Sequence, residues 1–377
     1  MRRDGHAVIA RVMIRLFRSA CLMQRFLCPC GNTLFFDSTS CLACRRPVAC
    51  DPVRKAFVVL ESAGAAPARL CANGVRYGVC NWLALPGQQG GLCLSCRMDR
   101  MIPNLGDPRN VMLWGKVEAA KRRLIFELIG LGIPMTPGGR NVIDGLTFRI
   151  VSTRLDSGVT MGHLNGLITV NLEEADDTYR QINRQTLGEE SRTLLGHFRH
   201  ESGHFVWQQW FDALPWNHAH RLAFRECFGD ERQDYSWALY HHYAVGNACS
   251  PDNFISAYAS CHPWEDWAET WAHYLQMMDG LQTFHSLGLD LSQLTLTCDQ
   301  FEPTTVALPG VLGGRKLDDA GFLLNLSAWL QVAAVLNELS ASAGQPMLYP
   351  FVIDGGVARK LRLIHYFVQT CRQGTGP

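Results

Sequence analysis

The sequence has almost no net charge and no dense cluster of basic residues. Its 35 Lys and Arg residues are balanced by 34 Asp and Glu residues, which gives a formal net charge of +1. Nucleic-acid-binding domains usually concentrate Lys and Arg on one surface, often with aromatic residues among them. Arg97, Arg100 and Arg109 make only a thin cluster. We therefore do not expect a nucleic-acid partner.

The sequence also lacks an evident membrane span or export signal. Its apolar N-terminal stretch, residues 8–17, is interrupted by Arg11 and Arg15, whereas a spanning helix needs about 20 apolar residues. No clear small-residue cleavage site precedes Cys28, so a signal peptide is not indicated. We expect residues 1–24 to form a flexible N-terminal extension, and we expect no membrane partner.

Cysteine, by contrast, is abundant and unevenly placed. The 377-residue chain contains 15 cysteines, and ten of them precede Arg97, mostly as close pairs. Such clustering is typical of metal sites in a reducing compartment, whereas a secreted disulfide framework would spread its cysteines through the fold. The pattern therefore predicts a cytoplasmic zinc protein.

The first cysteine group consists of two close pairs around a short strand-like run. Cys28 and Cys30 form the first pair, and Cys41 and Cys44 form the second. Two such pairs can supply four thiolates to one structural zinc ion, as in a zinc ribbon. The C-x-C spacing of the first pair is tighter than the usual C-x-x-C, so Cys50 is an alternative ligand.

The second group contains Cys71, Cys80, Cys93 and Cys96, and it ends in a regular C-x-x-C. It predicts a second structural zinc ion, with free buried cysteines as the alternative. We interpret the two groups together as a stabilising region that could also dock a protein partner.

A segment rich in proline and glycine, residues 103–108, separates this region from the rest. We therefore expect a zinc-ribbon region over 25–106 and a second domain over 107–377. Apolar periodicity predicts helices and two strands in the second part. The helices are expected over 116–131, 219–246, 316–342 and 357–371, and the strands over 146–152 and 166–172. The predicted fold class is α+β, with a double zinc ribbon before a mainly helical domain that has a small sheet.

The strand at 166–172 has a functional interpretation. An edge strand can bind an extended peptide, because strand addition needs only exposed main-chain groups. We expect this strand to be such an edge.

The segment Leu194–Trp210 contains the motif H-E-x-x-H at His200, Glu201 and His204. On a helix, residues four positions apart lie on the same face. Both histidines can therefore bind one zinc ion, and Glu201 is placed to accept a proton from a water on that ion. No proline interrupts residues 191–213, which favours the helix.

A catalytic zinc ion needs a third protein ligand and an open position. Glu265 and Glu269 lie in an E-x-x-A-E that resembles the E-x-x-A-D of many glutamate-liganded zinc peptidases. The resemblance assigns Glu265 to the metal and Glu269 to the N–H of a ligand histidine, although the longer second acid leaves the order open. Tyr258 and His262 are candidate oxyanion donors, with core or capping roles as the alternative.

Seven longer segments resemble a known family. They are RFLCPCGNTLFF, CNWLALPG, LCLSCRM, TMGHLNGLITVNLEEAD, RTLLGHFRHESGHFVW, FGDERQDY and ISAYASCHPWEDWAETWAHYL. Together they resemble bacterial zinc-binding metallopeptidases with an N-terminal zinc-ribbon region. The resemblance implies that 107–377 is a zincin-like catalytic domain of the gluzincin type, with His200, His204 and Glu265 on zinc and Glu201 as the base.

The expected function is therefore zinc-dependent hydrolysis of peptide bonds in a peptide or protein substrate. The expected cofactors are one catalytic and two structural zinc ions. Two other functions remain open: a non-catalytic zinc-binding scaffold, and a nucleic-acid-associated regulator that acts through the ribbons. Glu201 favours the enzyme, because a structural zinc site has no use for a carboxylate beside its ligands.

Overall fold

The computed structural model describes residues 26–60, 69–84, 90–135, 145–187, 193–245, 252–294, 296, 298, 301–313 and 319–373. The predicted N-terminal extension lies outside them. The described residues form two compact units. The first contains those within 26–130 and 134–201, and the second contains those within 131–133 and 202–373.

The first unit begins with two small hairpins and a short helix. Strands β1 (Phe26–Leu27) and β2 (Thr33–Leu34) pair antiparallel, as do β3 (Val48–Asp51) and β4 (Ala56–Val59). Helix α1 (Ala72–Tyr77) follows. The cysteines of the first group lie between these strands, whereas those of the second group lie at the start of the helix, at Cys71, and in the segment that follows it, up to Cys96.

A long helix, α2 (Pro108–Leu131), comes next in the first unit. It starts eight residues earlier than the apolar periodicity indicated, because Asp107 Oδ1 accepts a hydrogen bond from the Arg109 N–H and Pro108 suits the first helical turn. Phe126 on α2 packs edge-on against Phe26 and Phe36. Helix α2 and the hairpins therefore share one apolar core.

The first unit also contains a four-stranded sheet with the order β5-β6-β8-β7. Its strands are β5 (Asp99–Met101), β6 (Thr147–Val151), β7 (Gly162–Leu164) and β8 (Leu167–Asn171). Strand β6 is parallel to both β5 and β8, and β7 forms an antiparallel hairpin with β8. The predicted strands over 146–152 and 166–172 are thus β6 and β8.

Strand β8 is not the edge strand that the sequence analysis expected. The hairpin turn at Asn165 and Gly166, both with positive φ, folds β7 back onto β8 and covers its outer side. The edge strand on this side of the sheet is β7, whose Leu164 is exposed. Helix α3 (Asp177–Leu187) and the first half of helix α4 (Leu194–Phe211) also belong to the first unit.

The second unit is helical. Its described residues contain the rest of α4 and the helices α5 (Ala219–Phe228), α6 (Tyr235–Val245), α7 (Pro263–Ser286), α8 (Asp319–Ser342) and α9 (Gly355–Arg372). Aromatic rings form its core. Trp267 of α7 packs edge-on against Phe211 and Phe228, and Phe367 of α9 lies 5.2 Å from Phe211 between ring centroids.

Helix α8 has the length and apolar composition of a membrane span over Ala320–Ser342, contrary to the expectation that no segment reaches that length. The core helix of a soluble protein meets the same criterion. Phe322, Leu326 and Trp329 on this helix are buried, and the Trp329 ring lies 4.9 Å from that of Tyr349. Much of the apolar character of α8 thus serves packing within the unit.

The α+β fold class is confirmed. Cysteine groups that fit zinc ribbons are followed by a mainly helical domain with a small sheet. The segment predicted to be helical over 219–246 contains two helices, α5 and α6, because α5 ends just before Gly229, whose φ is 97°. The helices predicted over 316–342 and 357–371 correspond to α8 and α9, although residues 316–318 lie outside the described part of the chain.

Candidate metal centres

The first cysteine group converges as the spacing predicted. The sulfur atoms of Cys28, Cys30, Cys41 and Cys44 all lie within 4.8 Å of one another. The Cys28–Cys44 and Cys30–Cys41 sulfur distances are 3.7 and 3.6 Å. Four thiolates at about 2.3 Å from a tetrahedral zinc ion would lie about 3.8 Å apart. The group therefore fits zinc.

Local backbone geometry allows the tight C-x-C pair to act like a C-x-x-C. Gly31 has φ 87° and its N–H donates to the Cys28 carbonyl at 2.8 Å, so the chain turns directly after Cys30. Cys50, the alternative ligand, is outside the group. It is fully buried, and burial raises the pKa of its thiol to about 12.

A basic residue stabilises the thiolate form in this group. The Arg46 guanidinium donates to Cys44 Sγ at 3.4 Å and lowers the pKa of that thiol to about 6. A thiolate is the form of cysteine that binds metal.

The sulfur atoms of the second group also lie within 4.8 Å of one another, and all four residues are buried. The group consists of Cys71, Cys80, Cys93 and Cys96. Cys80 and Cys93 sulfurs are 3.6 Å apart, again near the tetrahedral separation. The backbone N–H groups of Cys93 and Cys96 donate to the sulfurs of Cys71 and Cys93 at 3.4 Å. Such bonds stabilise negative charge on sulfur, so this group also fits zinc.

A buried charged network connects the second group to helix α2 and the sheet. Cys96 Sγ lies 3.6 Å from Glu118 Oε2, and Trp114 Nε1 donates to Glu118 Oε1 at 3.0 Å. Lys121 bonds both to Glu118, at 2.6 Å, and to Asp99 at the start of β5. Burial by itself would lower the pKa of Lys121, but the two carboxylates, Asp99 foremost, outweigh it and raise that pKa.

The H-E-x-x-H motif lies on α4 as predicted. Helix α4 is continuous from Leu194 to Phe211, so His200 and His204 are one turn apart on one rigid element. Glu201 follows His200 and is 8% exposed.

Helix α7 packs closely against the second half of α4. Trp267 Nε1 donates to the Gly203 carbonyl, and Trp271 Nε1 donates to Ser202 Oγ, both at 3.0 Å. Glycine at 203 leaves space for the α7 backbone at Ala268. These contacts bring the first turn of α7 beside His204.

Glu265 lies in that first turn and is 1% exposed. Its Oε2 is 3.5 Å from His204 Nε2, and donor atoms of His200, His204 and Glu265 all lie within 4.8 Å of one another. Nitrogen and oxygen ligands at about 2.0–2.1 Å from a tetrahedral ion would be about 3.4 Å apart. Two imidazoles and one carboxylate at this separation fit zinc.

The other predicted site residues have different surroundings. Glu269, one turn after Glu265, accepts a hydrogen bond from Ser256 Oγ at 2.7 Å. His262 is the N-cap of α7, where its Nδ1 accepts from the Trp264 N–H and its Nε2 is 3.2 Å from the Gln233 carbonyl. This is the capping role that the sequence analysis left open beside oxyanion donation.

Tyr258 lies in the 3-10 turn Tyr258–Cys261, just before α7. Burial, with the nearby Glu265 carboxylate second, raises the pKa of its phenol, so the hydroxyl keeps its proton and remains a hydrogen-bond donor. Its role as an oxyanion donor stays a prediction.

One residue near the site was not identified from the sequence. Tyr235, the first residue of α6, donates its hydroxyl hydrogen to Glu265 Oε1 at 2.7 Å. Its segment, FGDERQDY, contributes to the family resemblance but contains no recognisable ligand spacing. No local spacing could have paired Tyr235 with Glu265, because the contact depends on how α6 and α7 pack.

Comparisons with known proteins match two parts of this chain to protein families. Residues 110–367 match the family described as "Putative zinc-binding metallo-peptidase", and residues 25–107 match a zinc-ribbon domain. Uncharacterized proteins of Mycobacterium bovis and Mycobacterium tuberculosis are each 37% identical over 348 residues, which cover 92% of this chain and 95% of theirs. No solved structure matches.

Proposed function

We propose that this chain, which belongs to the family of zinc-binding metallo-peptidases with an N-terminal zinc ribbon, hydrolyses peptide bonds in a peptide or protein substrate. The observation that supports the proposal is the cluster of His200, His204 and Glu265, with Glu201 adjacent in sequence. A purely structural zinc site is closed by four protein ligands, whereas a catalytic site has three and an open position.

Each residue has a chemical role in this proposal. His200, His204 and Glu265 would hold the ion, in a gluzincin-type ligand set. When bound there, zinc would supply a Lewis acid that makes water nucleophilic near neutral pH. Glu201 would accept a proton from that water and pass it to the leaving amine. The other two metal ions would be structural and held by the cysteine groups.

The variant Glu201→Gln tests this proposal directly. It keeps the size of the side chain and leaves both histidines and Glu265 in place, so zinc binding and folding should survive. An amide cannot accept the proton, so cleavage of a quenched peptide library should fall by about 10²–10⁴-fold. Glu338→Gln, at an exposed position of α8, is the matched control and should cleave at the parent rate.

Retention of full activity by Glu201→Gln would remove Glu201 as the base. A parent protein that binds three zinc ions but cleaves no library member favours the scaffold alternative. Pull-down with Glu201→Gln as a substrate trap then decides, because a scaffold would capture the same proteins with and without the substitution. Salt-dependent DNA binding by the parent would instead favour the regulator alternative.

A further inference from the structure

The Tyr235 hydroxyl and the His204 imidazole contact different oxygens of the same carboxylate. Tyr235 donates to Glu265 Oε1 at 2.7 Å, and Glu265 Oε2 lies 3.5 Å from His204 Nε2. The carboxylate therefore has one oxygen bonded to a phenol and the other directed toward the histidine. This division of the two oxygens has a consequence for how Glu265 would bind a metal ion.

The position of Tyr235 is fixed from both sides. Asp234 caps the start of α6 by accepting from the Trp237 N–H at 2.9 Å. The Tyr235 ring packs edge-on against His262 at 5.2 Å and lies 5.8 Å from the Trp264 ring. Ring contacts with the first turn of α7 thus orient the phenol toward Glu265.

A second hydrogen bond also joins the start of α6 to the start of α7. His262 Nε2 is 3.2 Å from the Gln233 carbonyl, and its Nδ1 accepts from the Trp264 N–H. Since Nδ1 is an acceptor, the proton is on Nε2, which donates to Gln233. The start of α6 and the start of α7 are therefore joined at two points, Gln233–His262 and Tyr235–Glu265. Such double attachment preorganises the carboxylate before any ion binds.

We infer that Tyr235 is a positioning residue that makes Glu265 a one-oxygen metal ligand. This inference rests on the proposed metal site at His200, His204 and Glu265. The phenol occupies Oε1, so only Oε2 is presented beside His204. A carboxylate that offers one oxygen leaves room for water at the ion, whereas one that offers both would fill that position. Hydrogen-bonded partners of this kind typically change metal affinity by about 10–100-fold when removed.

The test uses the full chain with the variant Tyr235→Phe. Phenylalanine keeps the ring contacts with His262 and Trp264 and removes only the hydroxyl. Tyr240→Phe, at an exposed position of the same helix, is the matched control. Affinity for the third zinc ion is measured by competition with a chromophoric chelator, while the two cysteine sites remain loaded. We expect about 10–100-fold weaker binding for Tyr235→Phe and parent affinity for Tyr240→Phe.

Cobalt substitution at the third site gives a second readout that does not depend on activity. A four-coordinate cobalt ion absorbs visible light more strongly than a five-coordinate one. We expect Tyr235→Phe to shift the cobalt spectrum toward weaker absorption, as Glu265 becomes able to bind through both oxygens. Parent affinity together with a parent cobalt spectrum would overturn the inference.

A double-mutant cycle separates a specific role from a general loss of structure. If Tyr235 acts through Glu265, then Tyr235→Phe has little further effect on zinc affinity once Glu265→Gln is present. Effects that add in full would contradict the inference, as would a lower kcat with unchanged zinc affinity, because that result makes Tyr235 act on the reaction itself. The zinc measurements need no substrate, so failure of the peptidase proposal leaves them decisive.

Discussion

Gly203 of helix α4 lies directly against Ala268 of helix α7. A Cβ placed on Gly203 would be 2.8 Å from Ala268 Cα and 3.1 Å from Trp271 Cδ1. His204 is the next residue on α4, and Glu265 is one turn before Ala268 on α7. This close contact between the two helices therefore helps to set the distance between two of the proposed metal ligands.

Gly203→Ala should force these helices apart. Because the Cβ would meet backbone, relief requires a shift of the helix, and overpacking of this kind costs about 1–3 kcal/mol. We expect a lower free energy of unfolding in denaturant titration and weaker binding of the third zinc ion. Gly115→Ala on α2 is the control, since its Cβ would meet Val79 Cγ1 at an ordinary 3.5 Å. Equal stability of the two variants would contradict the expectation.

Metal content should be three zinc ions per chain by elemental analysis. Cys44→Ser removes one ligand of the first cysteine group and should lower the count to two. Cys50→Ser is the control, because Cys50 is a cysteine of the same region that lies outside both groups, and this variant should retain three ions. A count of one in the parent protein would refute the ribbon sites.

The third ligand can be assigned by comparing two neighbouring acids. Glu265→Gln should weaken the third zinc ion strongly, because Oε2 of this residue lies beside His204. Glu269→Gln should weaken it by about 10–100-fold, as expected for a residue that supports a ligand. Zinc affinity is measured by chelator competition. If Glu269→Gln loses the ion while Glu265→Gln keeps it, the assignment is reversed.

A fragment that starts at Asp107 should fold poorly. It lacks β5, which pairs with β6, and it lacks Asp99, which binds the buried Lys121. Removing one partner of a buried charge costs about 3–5 kcal/mol. We expect a lower melting temperature or aggregation in a thermal scan, in contrast with a control chain that starts at Phe26. A fragment as stable as the control would show that the sheet does not depend on β5.

Stability should depend on pH through His365. Burial, with the nearby Arg362 second, lowers the pKa of this histidine to about 3, while an unfolded chain has about 6.5. The unfolded chain therefore takes up the proton first. The contribution of His365 is complete above pH 6.5 and decreases by about 1.4 kcal/mol per pH unit as the pH falls toward 3.

The measurement is the free energy of unfolding at pH 7 and pH 5. His365→Gln should show a smaller decrease between these values than the parent, because it has no group to protonate. His285→Gln, at an exposed position near the end of α7, should retain the parent slope. Identical slopes for the parent and His365→Gln would exclude His365 as the source.

Local chain geometry alone determined several features of this protein. The i, i+4 spacing of His200 and His204 places both on one helix face in any α-helix. The cysteine spacing likewise identified both groups of four, although only Cys93 and Cys96 form a close pair in the second group. Apolar periodicity also located the strands β6 and β8 and most of α2, α8 and α9, since these signals arise between near neighbours in sequence, but it did not indicate the break between α5 and α6.

Tertiary structure decided what depends on residues far apart in sequence. The packing of α7 on Gly203 brings Glu265 to His204, and the start of α6 places Tyr235 on the same carboxylate. Because β7 pairs with β8, the edge strand on that side of the sheet is β7 and not the predicted β8. Because β5 pairs with β6, a strand of the ribbon region is part of the sheet. No residue spacing encodes these contacts, because they follow from which buried faces fit together in three dimensions.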